Sequence, residues 1–319
     1  MILRRNLSPK LIILYSWKHL VYYLLLAVAV YWAFHILDFS YLNIPVYTIT
    51  ILSTALAIFL GFNNNQAYDR WWEARKIWGL LVNYSRAWAR QVITFFDFQR
   101  GELANQQARD LQQRMINRHA AFVHALRVFL RTKHAYNRNR KEYLESSNDY
   151  NDLAHLLEVD EFTEFLQKDN PPNFLLQRQG EDLKYAQDKA WINDFRFMQL
   201  DQTLTEFNNI QGRSERIKNT PMPRNYGYFA RIFVFIHATI LPFTLVQALD
   251  WMMIPISFLI SFVFLALDII GERTQDPFEN RMDDTPMTAL SKTIERNVME
   301  QWGSQKLPEK EAAMDGILF

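Results

Sequence analysis

Residues 61–79 read Gly61-Phe62-Asn63-Asn64-Asn65-Gln66-Ala67-Tyr68-Asp69-Arg70-Trp71-Trp72-Glu73-Ala74-Arg75-Lys76-Ile77-Trp78-Gly79. An apolar run of membrane length, Ile44 to Phe62, ends as this stretch begins. The chain then turns polar, charged and tryptophan-rich without a helix breaker. A helix that leaves a bilayer and carries on into the cytosol has this pattern. Several copies of such a helix around an axis would line a pore.

The bulk composition narrows the alternatives. A chain of 319 residues holds one large domain or two modest ones. With 35 basic and 34 acidic residues it gives no argument for nucleic acid as a partner. The absence of cysteine excludes disulfides, Cys-ligated zinc, iron–sulfur clusters and thiol catalysis. Aromatic residues make up 15%, with nine Trp and 24 Phe, as is usual where aromatics anchor helices at membrane interfaces.

Four segments have the apolar length of a bilayer crossing, for which roughly 17–25 residues suffice. They are Leu20–Leu37, Ile44–Phe62, Tyr228–Leu249 and Met252–Ile270. Four such runs in two closely spaced pairs are hard to hide in one soluble core. Pro45 suits a first helical turn, and Pro242 is placed to kink the third segment. Leu11–Trp17 reads as an interfacial turn or short helix leading into the first span, and no signal-peptide cleavage site follows that span. Basic residues fix the orientation. Arg4, Arg5, Lys10 and Lys18 precede the first span, and Arg70, Arg75, Lys76, Arg86 and Arg90 follow the second. The connectors Asp38–Asn43 and Gln247–Trp251 carry no Lys or Arg. Both termini and the middle are therefore expected in the cytoplasm, with Trp32, Tyr41, Tyr47 and Trp251 as outer belt aromatics.

The expected organisation is all-α: an N-terminal segment with two spans over 1–62, a helical cytosolic region over 63–227, two further spans over 228–270 and a cytosolic C-terminal segment over 271–319. Within the cytosolic region, Met115, Ile116, His119, Phe122, Val123, Leu126 and Phe129 mark one helix by their period. Leu153, Leu156, Phe162 and Phe165 mark a shorter helical pair, and Leu183–Ile217 reads as one long run. Tyr136–Asn151 and Asp169–Gly180 read as loops, the second because of Pro171-Pro172. The tail after Gly303 reads as polar and loose, with Ile317-Leu318-Phe319 able to dock.

In the second span Thr54, Ile58, Phe62 and Gln66 recur every four residues and share one helix face with slow drift. The plainer reading of that face is lipid contact or packing against the other spans; the sharper reading is a pore stripe. In the pore reading Ile58 and Phe62 form an apolar neck, which can gate by dewetting. Asn63, Asn65 and Gln66 then flank it with amide dipoles. The run Asp69-Arg70-Glu73-Arg75-Lys76 reads as a structural junction, with Glu73 pairing to Lys76 on its own helix. His237 lies inside the third span, where an ionisable group is a functional candidate, although a neutral packed histidine is the commoner case. No phosphate loop, zinc-protease motif or nucleophile elbow is present, so an enzyme is not expected, nor a cofactor or a metal.

Gly61-Phe62 followed by Tyr68-Asp69-Arg70-Trp71-Trp72-Glu73-Ala74-Arg75 resembles the signature of the bestrophin family, in its prokaryotic branch. Glu206-Phe207-Asn208 with Gln211-Gly212-Arg213-Ser214-Glu215-Arg216-Ile217-Lys218-Asn219-Thr220-Pro221 is similar to the family segment before the third span. Gly271-Glu272-Arg273-Thr274-Gln275-Asp276-Pro277-Phe278 is similar to the one after the fourth. The resemblance implies a homopentameric channel whose second span surrounds one axial pore. Ile58 and Phe62 match two neck positions; the third falls on Thr54, where an apolar residue is usual. A second, cytosolic aperture falls near Met198. Eukaryotic members carry a Ca²⁺-clasping acidic run where this chain has Glu279-Asn280-Arg281-Met282-Asp283-Asp284. Arg281 and Asn280 spoil that donor set, and Asp283 and Asp284 read instead as a helix N-terminal signal before Met287.

The combined expectation is a pentamer in the bacterial inner membrane, partnered by lipid, that conducts monovalent ions passively. Asp38 and Asp250 in the outward connectors, and the habits of prokaryotic relatives, favour cations such as Na⁺. Chloride conduction is the second expectation. A membrane-anchored cytosolic binding module with no pore is the competing class.

Overall fold

The computed structural model describes residues 1–2, 9–38, 44–97, 102–132, 149–314 and 316–319, with side chains also left aside at 9–15, 102–104 and 224. Tyr41, and most of the expected loop at 136–151, lie outside the described residues. Among those described, every regular element is helical: α1 (Pro9–Ile36), α2 (Val46–Thr94), α3 (Glu102–Arg131), α4 (Val159–Leu166), α5 (Pro171–Asp188), α6 (Asp194–Asn219), α7 (Arg224–Leu249), α8 (Met253–Thr274) and α9 (Met287–Trp302). Short 3-10 turns cover Tyr150–Leu156 and Asp250–Met252. The chain divides into two compact units, one of residues 4–71 with 221–276, the other of 1–3, 72–220 and 277–319.

The first unit holds the apolar segments. Among the described residues three stretches are long and apolar enough to cross a membrane: Ser16–Ile36, Val46–Thr94, whose apolar start lies in this unit, and Asn225–Thr274. The last is 50 residues long, about 75 Å of helix at 1.5 Å per residue and far more than one crossing needs. It is broken at Asp250, whose backbone takes φ 50° and ψ −134°, so α7 and α8 are separate helices. They pack against each other and against α2 through Ala230 and Val234 of α7, Phe264 and Leu267 of α8, and Leu56 and Leu60 of α2. The expected interfacial piece at Leu11–Trp17 is not separate: α1 runs unbroken from Pro9 to Ile36. Pro242 lies inside α7 as expected.

The second unit is organised around α3. Met115, Ile116, Ala120 to Val123, Ala125, Leu126 and Leu130 are all buried. So much of α3 is enclosed that its polar side chains need internal partners. Arg118 bonds Glu161 at 2.5 Å and also Asp182, Arg131 bonds Thr288 at 2.8 Å, and His124 meets Glu295 at 2.9 Å. His119 meets Ser85 at 2.8 Å and stacks on Phe207 at 4.5 Å between ring centres. Burial alone lowers the His119 imidazole to about 3. Burial raises the Asp284 carboxyl to about 7.

Several local expectations change here. Asp169–Gly180 is mostly helix: Pro171 and Pro172 occupy its first positions and the Asn170 side chain caps it by accepting from Asn173 N at 3.2 Å. Proline in a first helical turn starts a helix, because its missing N–H would have had no partner there. Leu183–Ile217 is two helices. They separate at Ala190, with φ 54°, and Asn193 caps the second by accepting from Arg196 N at 3.0 Å. Glu73 reaches across to Arg216 at 3.1 Å and Arg213 at 3.7 Å, not along its own helix to Lys76. Asp284 is buried and accepts from Arg281 N at 3.0 Å, so it closes a turn and does not cap α9. The tail is held, not loose. Phe319 O accepts from Ala289 N at 2.7 Å, Leu318 N donates to Met1 O at 2.9 Å, and Lys292 pairs with Glu311 at 2.6 Å.

Candidate pore-lining face

α2 is one unbroken helix of 49 residues, and its apolar part is two-faced. Ile49, Leu56, Leu60, Asn63 and Ala67 are buried. On the opposite side Ile51 (70%), Ile58 (57%) and Phe62 (65%) are exposed in the single chain, together with Thr54, Asn65, Gln66 and Asp69. At about 100° per residue, positions seven apart differ by only about 20° around a helix. Ile51, Ile58 and Asn65 therefore form one line along α2, and Ala55, Phe62 and Asp69 form another directly beside it. A four-residue ladder drifts by about 40° per step, which is why periodicity read from Thr54 alone underweights Ile51 and Asp69.

Thr54, Ile58 and Phe62 thus share an exposed face, as the spacing predicts. The Thr54 hydroxyl donates to Thr50 O at 2.9 Å, so its proton is satisfied within its own helix. Of the expected flanking amides, Asn65 and Gln66 lie on this face. Asn63 does not: it is only 9% exposed and packs at Gly271 of α8.

The buried side is keyed by polar and close contacts. Ser53 Oγ lies 2.7 Å from His237 Nε2 of α7, and His237 packs on Phe264 at 4.6 Å. His237 is completely buried, as a packed histidine and not as a lining group. Gly271 gives α2 room: a Cβ there would overlap Asn64 Oδ1 and stand 3.2 Å from Asn63 Nδ2. At the far end of this unit Asp250 pairs with His35 at 2.9 Å, so it is not the bare acid that the sequence suggested. Asp38 is exposed, with a backbone φ of 52°.

One edge of the exposed face is made of small residues, Thr54, Ala57 and Gly61, all exposed. A Cβ on Gly61 would meet nothing within 4 Å, so the chain itself does not require glycine there. A mid-helix glycine costs about 1 kcal/mol relative to alanine, and small residues permit close approach of another helix. In the second unit, Met198 (67% exposed) stands on α6 beside Phe195 (84% exposed). No group of three or more His, Cys, Asp or Glu suited to a metal occurs among the described residues.

Comparison with known proteins identifies the family. The family model for Bacterial/Fungal Bestrophin protein matches residues 10–300. The voltage-dependent anion channel-forming protein YneE of Escherichia coli O157:H7 is 32% identical over 261 residues, covering 82% of this chain and 78% of that one. The voltage-dependent anion channel-forming protein alr2987 of Nostoc is 28% identical over 254 residues, covering 80% and 76%. A crystal structure of a bacterial bestrophin homologue from Klebsiella pneumoniae superimposes with a TM-score of 0.78 at 28% identity, over 90% of this chain and 98% of that one. On this evidence the chain belongs to the bacterial and fungal bestrophin family.

Proposed function

We propose that the protein is an ion channel of the bacterial inner membrane, built from five copies with the exposed face of α2 turned to a shared axis. α1, the first half of α2, α7 and α8 are its four crossings, and both termini are cytoplasmic. The observation that carries this reading is the continuity of one exposed α2 face from Ile51, Ile58 and Phe62 into Asn65 and Asp69. A helix that faces lipid and then cytosol shows the same switch, so the switch counts toward a pore only together with the small-residue edge beside it on α2. A pore with a dry neck opening into a wet vestibule uses both ends of the face. The small edge at Thr54, Ala57 and Gly61 supports close approach of a neighbouring α2. Met198 and Phe195 on α6 are the residues for a second, cytosolic narrowing.

Ile58 and Phe62 bear no charge, so the sign of the ion is set at the ends of the neck. Exposed Asp38 and Asp69 favour monovalent cations such as Na⁺. The second reading, anion conduction, draws on the printed names of the YneE and alr2987 relatives. Purified protein in a planar bilayer under asymmetric NaCl separates the two. The proposal expects a reversal potential displaced toward that of Na⁺. A displacement toward chloride transfers the assignment to the anion reading, and no current or liposome flux at all removes the channel in favour of a membrane-anchored binding module.

A further inference from the structure

We propose that Asp69 is the residue that selects cations at the inner end of the neck; the inference rests on the channel reading above. Asp69 follows Phe62 by seven residues on the unbroken α2 helix, which sets it about 20° away around the helix and about 10 Å along it. That is a closer alignment with Phe62 than Gln66 has, at about 40°. Asp69 is exposed, whereas its neighbour Arg70 is half-buried. The other carboxylate close in sequence, Glu73, is engaged by Arg213 and Arg216. Between Phe62 and Asp69 the exposed face carries only the neutral Asn65 and Gln66. The next charge on that face of α2, Glu73, comes four residues later and is drawn to Arg213 and Arg216; Lys76 comes seven residues after Asp69, at about a Debye length in physiological salt. An ion leaving the neck therefore meets the Asp69 carboxylates first.

The expected effect is large because copies add. One unit charge about 6 Å from an ion in a water-like medium enriches a cation about threefold and depletes an anion about threefold. Several such carboxylates around one axis give a cation preference well above tenfold before screening. The mechanism is enrichment at a wide, hydrated mouth and not dehydration, so Na⁺ and K⁺ should be passed with little distinction.

The test is the Na⁺ to Cl⁻ permeability ratio, from reversal potentials in asymmetric NaCl, for the wild type, Asp69→Asn, Asp69→Lys and Asp69→Glu. The ratio should fall at least about fivefold in Asp69→Asn, invert in Asp69→Lys and survive in Asp69→Glu. Should a variant fail to assemble, Asp69→Cys can be modified after reconstitution, because the chain has no cysteine of its own. A cationic thiol reagent should then lower the ratio and an anionic one restore it. An unchanged ratio in Asp69→Asn, an unchanged ratio after thiol modification, or an anion-selective wild type overturns the assignment while the channel reading stands. Absence of wild-type current overturns both.

Discussion

Replacing Gly271 with alanine puts a methyl group where α2 and α8 approach most closely. The new Cβ would overlap Asn64 Oδ1, lie 3.3 Å from Asn64 Cγ and lie 3.2 Å from Asn63 Nδ2. Asn64 Oδ1 is buried and without a hydrogen-bond partner among the described residues, so nothing but packing fixes its rotamer. The side chain must still turn into space that Asn63 partly fills. Overpacking of this kind costs about 1–3 kcal/mol, and the direct overlap places Gly271→Ala near the top of that range. Against it stands a gain of about 1 kcal/mol for alanine over glycine in a helix. The net expectation is a loss of about 2 kcal/mol, or roughly 3 °C in Tm for a chain of 319 residues. Thermal unfolding in detergent reads the loss, and a double-mutant cycle identifies its cause. With Asn64→Ala already present the obstacle is gone, so Gly271→Ala should become neutral or mildly stabilising. Coupling of about 2–3 kcal/mol would lie within the range for residues in contact. Equal costs in the two backgrounds would refute the reasoning, because Asn64 would then not be what the methyl strikes.

Other outcomes follow from the second unit. Lys218 and Glu279 form a buried pair at 2.6 Å with side chains 5% and 3% exposed; Lys218→Met alone should cost about 3–5 kcal/mol, and Lys218→Met with Glu279→Leu should recover most of it. Denaturant or thermal unfolding of the three variants checks this, and a double variant as weak as the single one would contradict it. His119 is held neutral by burial, its folded value lowered to about 3 from an ordinary 6.5. Its contribution is therefore present above pH 6.5 and lost as pH falls toward 3, about 2 kcal/mol by pH 5. His119→Phe should flatten the acid side of the stability profile relative to wild type, while Ser85 keeps its bond to Leu81 O at 2.6 Å. Parallel pH profiles would show that His119 is not buried neutral.

The sequence disclosed the helical architecture well because its strongest signals are long. The apolar segments and the period of α3 survive any local irregularity, and the shared face of Ile58 and Phe62 is legible from spacing on one helix. What escaped depended on the third dimension. Asn63 looks like its neighbours Asn64 and Asn65 in sequence, yet a 100° step around α2 turns it to the buried side. A four-residue ladder passes over Ile51 and leaves Asp69 in a charged run that reads as a structural junction, whereas a seven-residue line tracks the exposed face better. Pro171-Pro172 reads as a loop because proline breaks helix interiors, although it also suits a helix start. Ile317-Leu318-Phe319 reads as able to dock, but its partners, such as Met1 for Leu318, lie nearly the full length of the chain away, and no local pattern encodes them.

The central claim is that the exposed face of α2 lines an ion path, and cysteine accessibility tests it most directly. The chain contains no cysteine, so single substitutions Ile58→Cys, Phe62→Cys, Leu56→Cys and Leu60→Cys can be compared without background. Each variant is reconstituted in liposomes, and ion flux is measured before and after a charged, membrane-impermeant thiol reagent. The account predicts altered flux at positions 58 and 62 and none at 56 and 60, whose native side chains are 2% and 0% exposed. Equal modification at all four positions, or flux indifferent to modification at 58 and 62, would contradict it.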